Sequence, residues 1–71
     1  MITADDLKSI VQERPFTPFR LHFSNGATHD ITHPDSIIVA GNHAAIAEGD
    51  KLWFTAIGHI VEIEPLPAVR A

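Results

Sequence analysis

FRLHFSNGATHDI, residues 19–31, is the stretch from which the fold of the whole chain can be inferred. Apolar and polar side chains alternate through its first half, which is typical of a β-strand with one buried face. A two-residue Asn-Gly turn would place Asp30 opposite the core-facing Leu21. A three-residue loop instead pairs Phe19 with Ile31, so that apolar residues lie together. The pattern therefore predicts a hairpin with a three-residue loop.

The loop contains a glycine, Gly26, and the second strand ends near a proline, Pro34; both residues have unusual backbone properties. A three-residue loop of this kind consists of a type I turn followed by a left-handed residue, and Gly26 lies at that position. Pro34 cannot donate a hydrogen bond to a neighbouring strand. We therefore predict a bulge at Gly26 and, at His33-Pro34, either a sharp bend of the second strand or a brief turn through Pro34-Asp35-Ser36.

Before the hairpin, the chain has the features of one short amphipathic helix over residues 3–13. Thr3 followed three residues later by Asp6 is a capping-box pattern, and Pro15 ends the helix at about Arg14. A proline cannot contribute to a strand ladder, so strand pairing is expected to begin after Pro18.

After the hairpin come short apolar runs separated by turn residues, of which the last is Ile60–Glu64 with Val61 and Ile63 facing inward. We expect a mainly β protein with one N-terminal helix, forming a small, five-stranded, strongly bent antiparallel barrel. The chain of 71 residues is expected to form a single domain, 1–71, with the barrel over 18–64 and a mobile tail over 66–71.

Composition limits the functions that are compatible with this fold. The chain has no cysteine, which excludes disulfides and thiolate zinc sites, and its net charge of −4 lacks the clustered basic residues of a nucleic-acid footprint. No apolar run approaches the ~20 residues that span a bilayer. We expect a cytoplasmic protein with no membrane partner. A core of this size is marginal, so self-association is the expected stabilising device.

Two resemblances extend this interpretation. The pattern RPFTPFRLH at 14–22, with Asn25-Gly26, His33-Pro34 and HIVEIE at 59–64, resembles a family of short bacterial proteins of unknown function. It implies no activity, because none is known for that family.

The order of elements is also similar to the Sm-like fold, which includes the bacterial RNA chaperone Hfq, and to SH3-like barrels. LHFSNG at 21–26 resembles the first Sm motif, and FTAIGH at 54–59 occupies the place of the second. The Lys-His pair that Hfq has there is missing. The resemblance implies a homo-oligomeric ring and single-stranded RNA as a possible ligand, and it makes His59 a candidate pore-facing contact.

Three further side chains are candidate contacts to a partner or subunit. Arg20 and His22 face away from the apolar side of the first strand. Alternation places Trp53 and Phe54 on opposite faces of their strand, and Phe54, in step with Leu52, is the expected core residue. Trp53 is then the expected contact, because aromatic side chains often anchor interfaces.

No residue pattern indicates catalysis or a cofactor. The serines lack a nucleophile motif, and the glycines are isolated turn residues rather than a phosphate-binding loop. We therefore expect a non-enzymatic module that self-associates, with single-stranded RNA as a possible ligand. The alternative is a protein–protein adaptor that binds its partner by strand addition. A minor alternative is a metal-responsive module using His29 and His33.

Overall fold

The computed structural model describes residues 2–67, which form one helix, six strands and two short 3₁₀ turns. The helix α1 spans Ala4–Gln12. The strands are β1 (Phe19–Phe23), β2 (Thr28–Ile31), β3 (Ile37–Ala40), β4 (His43–Glu48), β5 (Lys51–Ala56) and β6 (Ile60–Pro65). The 3₁₀ turns, Pro34–Ser36 and Ile57–His59, join β2 to β3 and β5 to β6.

The predicted capping box at the start of α1 is confirmed. The Thr3 hydroxyl accepts a hydrogen bond from the Asp6 amide at 3.1 Å, and the Asp6 carboxylate accepts one from the Thr3 amide at 3.0 Å. These two bonds satisfy amides that have no partner within the helix. Leu7 is the buried residue of α1, and it attaches the helix to the core.

The six strands form two antiparallel sheets, which corrects the prediction of a single five-stranded barrel. The first sheet has the order β2-β1-β6, and the second has the order β3-β4-β5. A single strand bent at His33-Pro34 is wrong, because pairing with β1 ends at Ile31 and pairing with β4 begins at Ile37. The alternative, a brief turn through Pro34–Ser36, is confirmed. Pro34 begins this 3₁₀ turn, where its missing N–H breaks no ladder. Neither sheet closes into a barrel within residues 2–67.

The predicted register of the first hairpin is confirmed. Phe19 pairs with Ile31 and Leu21 with His29, and the Gly26 amide donates to the carbonyl oxygen of Phe23 at 2.9 Å. Gly26 has a φ of +90°, a conformation that residues with a Cβ rarely adopt. The loop chemistry and the burial pattern therefore specify the same alignment of β1 and β2.

One core is shared by the helix and the inner faces of both sheets. It contains ten buried apolar residues: Leu7, Phe19, Leu21, Phe23, Ile31, Ile37, Ala44, Ile46, Ile57 and Ile60. The two 3₁₀ turns carry the chain from one sheet to the other around this core.

Three predictions of buried side chains are wrong. Leu52 and Phe54 are 57% and 77% exposed, because β5 pairs Trp53, not Phe54, with the buried Ile46. Val61 is 60% exposed, because a bulge in the β1–β6 ladder shifts the register between His22 and Phe23.

The tail that was predicted to be mobile, residues 66–71, is only partly described. Leu66 donates its amide to the carbonyl oxygen of Pro18 at 2.9 Å, so the chain is hydrogen-bonded at this point. Residues 68–71 lie outside the described part of the chain.

Candidate functional site

The outer face of the second sheet carries three of the five large apolar side chains that are exposed within residues 2–67. Strand alternation places on it every second residue of β3, β4 and β5. We call this set the outer face; its members are Ile38, Ala40, His43, Ala45, Ala47, Leu52, Phe54 and Ala56. Ile38, Ala45 and Phe54 are directly opposite one another across the three strands, and Ile38 is 67% exposed. With Leu52 and Phe54, which are 57% and 77% exposed, Ile38 is one of three large apolar side chains exposed to solvent on this small sheet.

The outer face has no Asp, Glu, Lys or Arg, although the chain as a whole has a net charge of −4. In contrast, the outer side of the first sheet carries Arg20, which pairs with Asp30 and lies 4.0 Å from Glu64. Depletion of charged residues together with exposed aromatic and aliphatic side chains is typical of the central part of a protein interface. The chemistry of the outer face therefore favours contact with another apolar surface.

Trp53 lies on the opposite, inner side of β5, at the junction of the two sheets. Its ring is 5.4 Å from the imidazole of His29, which itself lies edge-on to the ring of Phe23. His29 Nδ1 is 2.8 Å from the Glu48 carboxylate, so this pair connects β2 in the first sheet to β4 in the second. Trp53 is 44% exposed. Alternation had placed it on the side of β5 away from the core, and that assignment is wrong, because Trp53 lies opposite the buried Ile46.

His59 lines an open cleft of about 560 Å³ beside the end of β5. One wall is the segment Phe54–Ala56, and the other consists of the hairpin residues Ser24 and Asn25 together with His59. Phe23 also lines the cleft. The Ser24 amide donates to the carbonyl oxygen of His59 at 2.8 Å, which holds the second wall in place. The cleft contains uncharged polar groups and an imidazole, and it is bordered by β5.

The structure separates Arg20 and His22 from Trp53 and His59. Both lie on the outer side of the first sheet, where neighbouring carboxylates bind them. Arg20 forms two hydrogen bonds to Asp30, at 2.7 and 3.1 Å, and His22 Nε2 is 2.8 Å from a Glu64 oxygen. Arg20 also lies 4.0 Å from Glu64. Arg20 and His22 are therefore both hydrogen-bonded to carboxylates of the protein itself.

The Arg20–Asp30 pair changes the acid–base behaviour of both groups. The Arg20 guanidinium, which hydrogen-bonds the Asp30 carboxylate, lowers the pKa of Asp30 below its ordinary value. The same hydrogen bond raises the pKa of Arg20. The stabilising contribution of Asp30 is therefore fully present at a pH above the ordinary pKa of a carboxyl group. It is lost as the pH falls through the lowered pKa of Asp30.

We expect Arg20→Gln to raise the pKa of Asp30 toward its ordinary value, because the guanidinium that stabilises the carboxylate is removed. The measurement is an NMR titration of the Asp30 carboxyl carbon between pH 2 and pH 6. Arg14→Gln is the matched control, since the side chain of Arg14 donates to the backbone carbonyls of Val11 and Glu13 and, among the described residues, to no carboxylate. An equal shift in both variants would show that overall charge, not the pair, determines the pKa.

Residues 2–67 contain neither a cluster of side chains that could hold a metal ion nor a helix that could span a membrane. No three His, Cys, Asp or Glu side chains lie close enough together there to hold a metal ion. His29, one of the two histidines of the metal-responsive alternative, is hydrogen-bonded to Glu48. The one helix of this region is too short to cross a bilayer.

The fold and the surface define a small, two-sheet β protein with one helix and an uncharged, exposed sheet face. Comparison of the chain with protein-family models, curated proteins and solved structures finds no match. The surface itself must therefore provide the evidence for function.

The sequence interpretation did not identify the outer face. Leu52, Trp53 and Phe54 are consecutive and apolar, so alternation alone does not assign them to faces. A usable signal lay in the Gly49-Asp50 turn. A two-residue loop at that turn places Trp53 opposite Ile46, and this is the register found.

Proposed function

We propose that this chain is a non-catalytic interaction module that assembles with further copies of itself through the outer face. The observation that carries this proposal is the exposure of Ile38, Leu52 and Phe54 on a sheet face without charged residues. Burial of such a face is favourable by roughly 25 cal/mol per Å² of apolar surface. Contact through an uncharged region also lets two acidic chains meet without opposing carboxylates.

A second copy is a better occupant of the outer face than RNA. Single-stranded RNA is bound by free basic groups together with aromatic stacking. Arg20 is held by Asp30 and Glu64, and no Lys or Arg lies on the outer face. The experiment below also distinguishes RNA and an unrelated protein partner from a second copy. Bound RNA would change the absorbance ratio of the purified assembly, and an unrelated protein would appear as a second polypeptide.

We expect Ile38→Lys to weaken self-association at least about tenfold, which corresponds to ~1.4 kcal/mol, because a charge then lies within the apolar contact. The measurement is the molar mass by light scattering across a dilution series. Val61→Lys is the matched control, since Val61 is similarly exposed, at 60%, but lies on the first sheet.

The wild-type chain and Val61→Lys should have the same mass, larger than that of one chain, at every concentration. A wild-type protein that stays monomeric throughout the series would refute self-association. An Ile38→Lys variant with wild-type mass would show that the outer face is not the contact. An absorbance ratio typical of nucleic acid, lost in high salt, would indicate RNA instead.

A further inference from the structure

One strand edge is left open beside the cleft. β5 is the last strand of the order β3-β4-β5, and the Ile57 amide donates to the carbonyl oxygen of Asn42 at 2.8 Å. In an antiparallel ladder every second residue bonds the neighbouring strand, so the residues in step with Ile57 face β4. The amides of Leu52, Phe54 and Ala56 therefore point away from β4, toward the open edge.

Within residues 2–67, the β5 edge lacks the features that normally prevent strand pairing. Natural edges are protected by charged residues, prolines, bulges or a covering element. β6 carries Glu62 and ends at Pro65, β2 has only four residues and contains Asp30, and α1 lies against β3. In β5 the only charged residue is Lys51, at its start. Among the described strands, β5 is thus the edge that is open to pairing.

The sequence of β5 is complementary to itself in one antiparallel register. With Phe54 opposite Phe54 of a second copy, Leu52 is opposite Ala56 of that copy, and the outward-pointing amides meet as hydrogen-bonded pairs. Lys51 then lies opposite Ile57. No charge faces a like charge, and Phe54 forms a cross-strand aromatic pair.

In this register, Trp53 of each copy lies beside the cleft of the other. Trp53 of one copy lies opposite Thr55 of the other, and both residues are on the inner side of the sheet. Thr55 lines the cleft. The indole of each copy is consequently directed at the cleft of the other, toward His59, Ser24 and Asn25.

The outer face is too small to form a stable interface by stacking alone, so a second contact between copies is expected. Three strands ~4.8 Å apart and six residues of ~3.4 Å give a face of about 300 Å² in projection, small against the ~800 Å² per partner of a stable interface. Pairing at the β5 edge would join two outer faces into one six-stranded apolar surface.

We propose that β5 pairs with β5 of a second copy about a two-fold axis at Phe54, with Trp53 of each copy filling the cleft of the other. This inference rests on the proposed function and specifies the partner as a second copy at a second contact. The edge forms pairs of chains, and the outer faces bring such pairs together.

Cysteine cross-linking tests the register directly, because the chain contains no cysteine. Opposed residues of a hydrogen-bonded pair have Cα atoms about 5.5 Å apart, within disulfide range. Phe54→Cys should form a disulfide-linked dimer in oxidised glutathione. Leu52→Cys is the matched control on the same strand and face. In this register its two copies lie four residues apart along the strand, about 14 Å.

We expect Phe54→Cys to cross-link at least about tenfold faster than Leu52→Cys. Equal rates would overturn the register. The same comparison in an Ile38→Lys background separates the two contacts. If Phe54→Cys still cross-links faster than Leu52→Cys in that background, while the molar mass of the assembly falls, both proposals are supported. Lost selectivity would show that Phe54 meets its copy through the stacked faces and not through the edge.

Ala56→Pro is a second, independent test of the edge. The Ala56 φ of −84° suits proline, and its amide points to the open edge, so the substitution should leave the ladder to β4 intact. We expect the Ala56→Pro chain to lose edge pairing and to shift the Trp53 emission to longer wavelength. Ala56→Ser, which keeps the amide, should behave like the wild type. An unchanged emission and mass in a folded Ala56→Pro variant would refute the proposal.

Discussion

Leu7→Ala is expected to lower the free energy of unfolding by about 2–5 kcal/mol, because a fully buried leucine is replaced by a cavity. Leu7 has 0% exposed surface and is the buried residue of α1, so its side chain attaches the helix to the core. Small domains have a total stability of only about 5–15 kcal/mol. Urea unfolding followed by circular dichroism measures the loss.

Ser9→Ala is the matched control for this experiment, since Ser9 is an exposed residue of the same helix. It should change the stability by less than about 0.5 kcal/mol. A Leu7→Ala loss as small as that of Ser9→Ala would mean that the helix contributes little to the core.

Gly26→Val is expected to cost about 1–3 kcal/mol, because valine must adopt the positive φ that glycine adopts freely. Gly26 has a φ of +90°, and an added Cβ would meet no atom within 4 Å. The loss is therefore expected to come from backbone strain and not from a steric clash. The midpoint of thermal unfolding is the measurement.

Gly58→Val separates strain from the general effect of placing valine in an exposed turn. Gly58 also has open space around its Cβ position, but its φ lies outside the positive range. Its loss should be clearly smaller than that of Gly26→Val. Equal losses would argue that the hairpin loop does not depend on the conformation of Gly26.

The first hairpin could be predicted from sequence because two independent constraints agree. The burial pattern of β1 required Ile31 opposite Phe19, and the loop length needed a glycine at position 26. Each constraint alone allows other registers. The capping box was also predictable, because Thr3 and Asp6 interact within one helical turn.

The candidate site was less predictable, because the apolar residues of β5 are consecutive. With Leu52, Trp53 and Phe54 in a row, period-two alternation does not indicate which face is buried. The decision came from β4, since Ile46 is buried and lies opposite Trp53. This places Phe54 on the outer face, where the sequence interpretation had expected a core residue.

His59 and the cleft depend on contacts between residues distant in sequence. The cleft exists because the Ser24 amide, in the first hairpin, donates to the carbonyl oxygen of His59, while no other described strand pairs with β5 on that side. Arg20 and His22 illustrate the same point. Their orientation away from the core was predictable, but their pairing with Asp30 and Glu64 depends on the neighbours that β2 and β6 supply.

Local chemistry in the sequence was sufficient for the helix, the hairpin register and the turn positions, since each depends on residues only a few positions apart. The tertiary structure alone decided that the strands form two sheets, that the outer face is exposed and that one edge borders a cleft. The physical reason is that a strand can bury either face and pair at either edge. Which face and which edge are used depends on what the rest of the chain places against them.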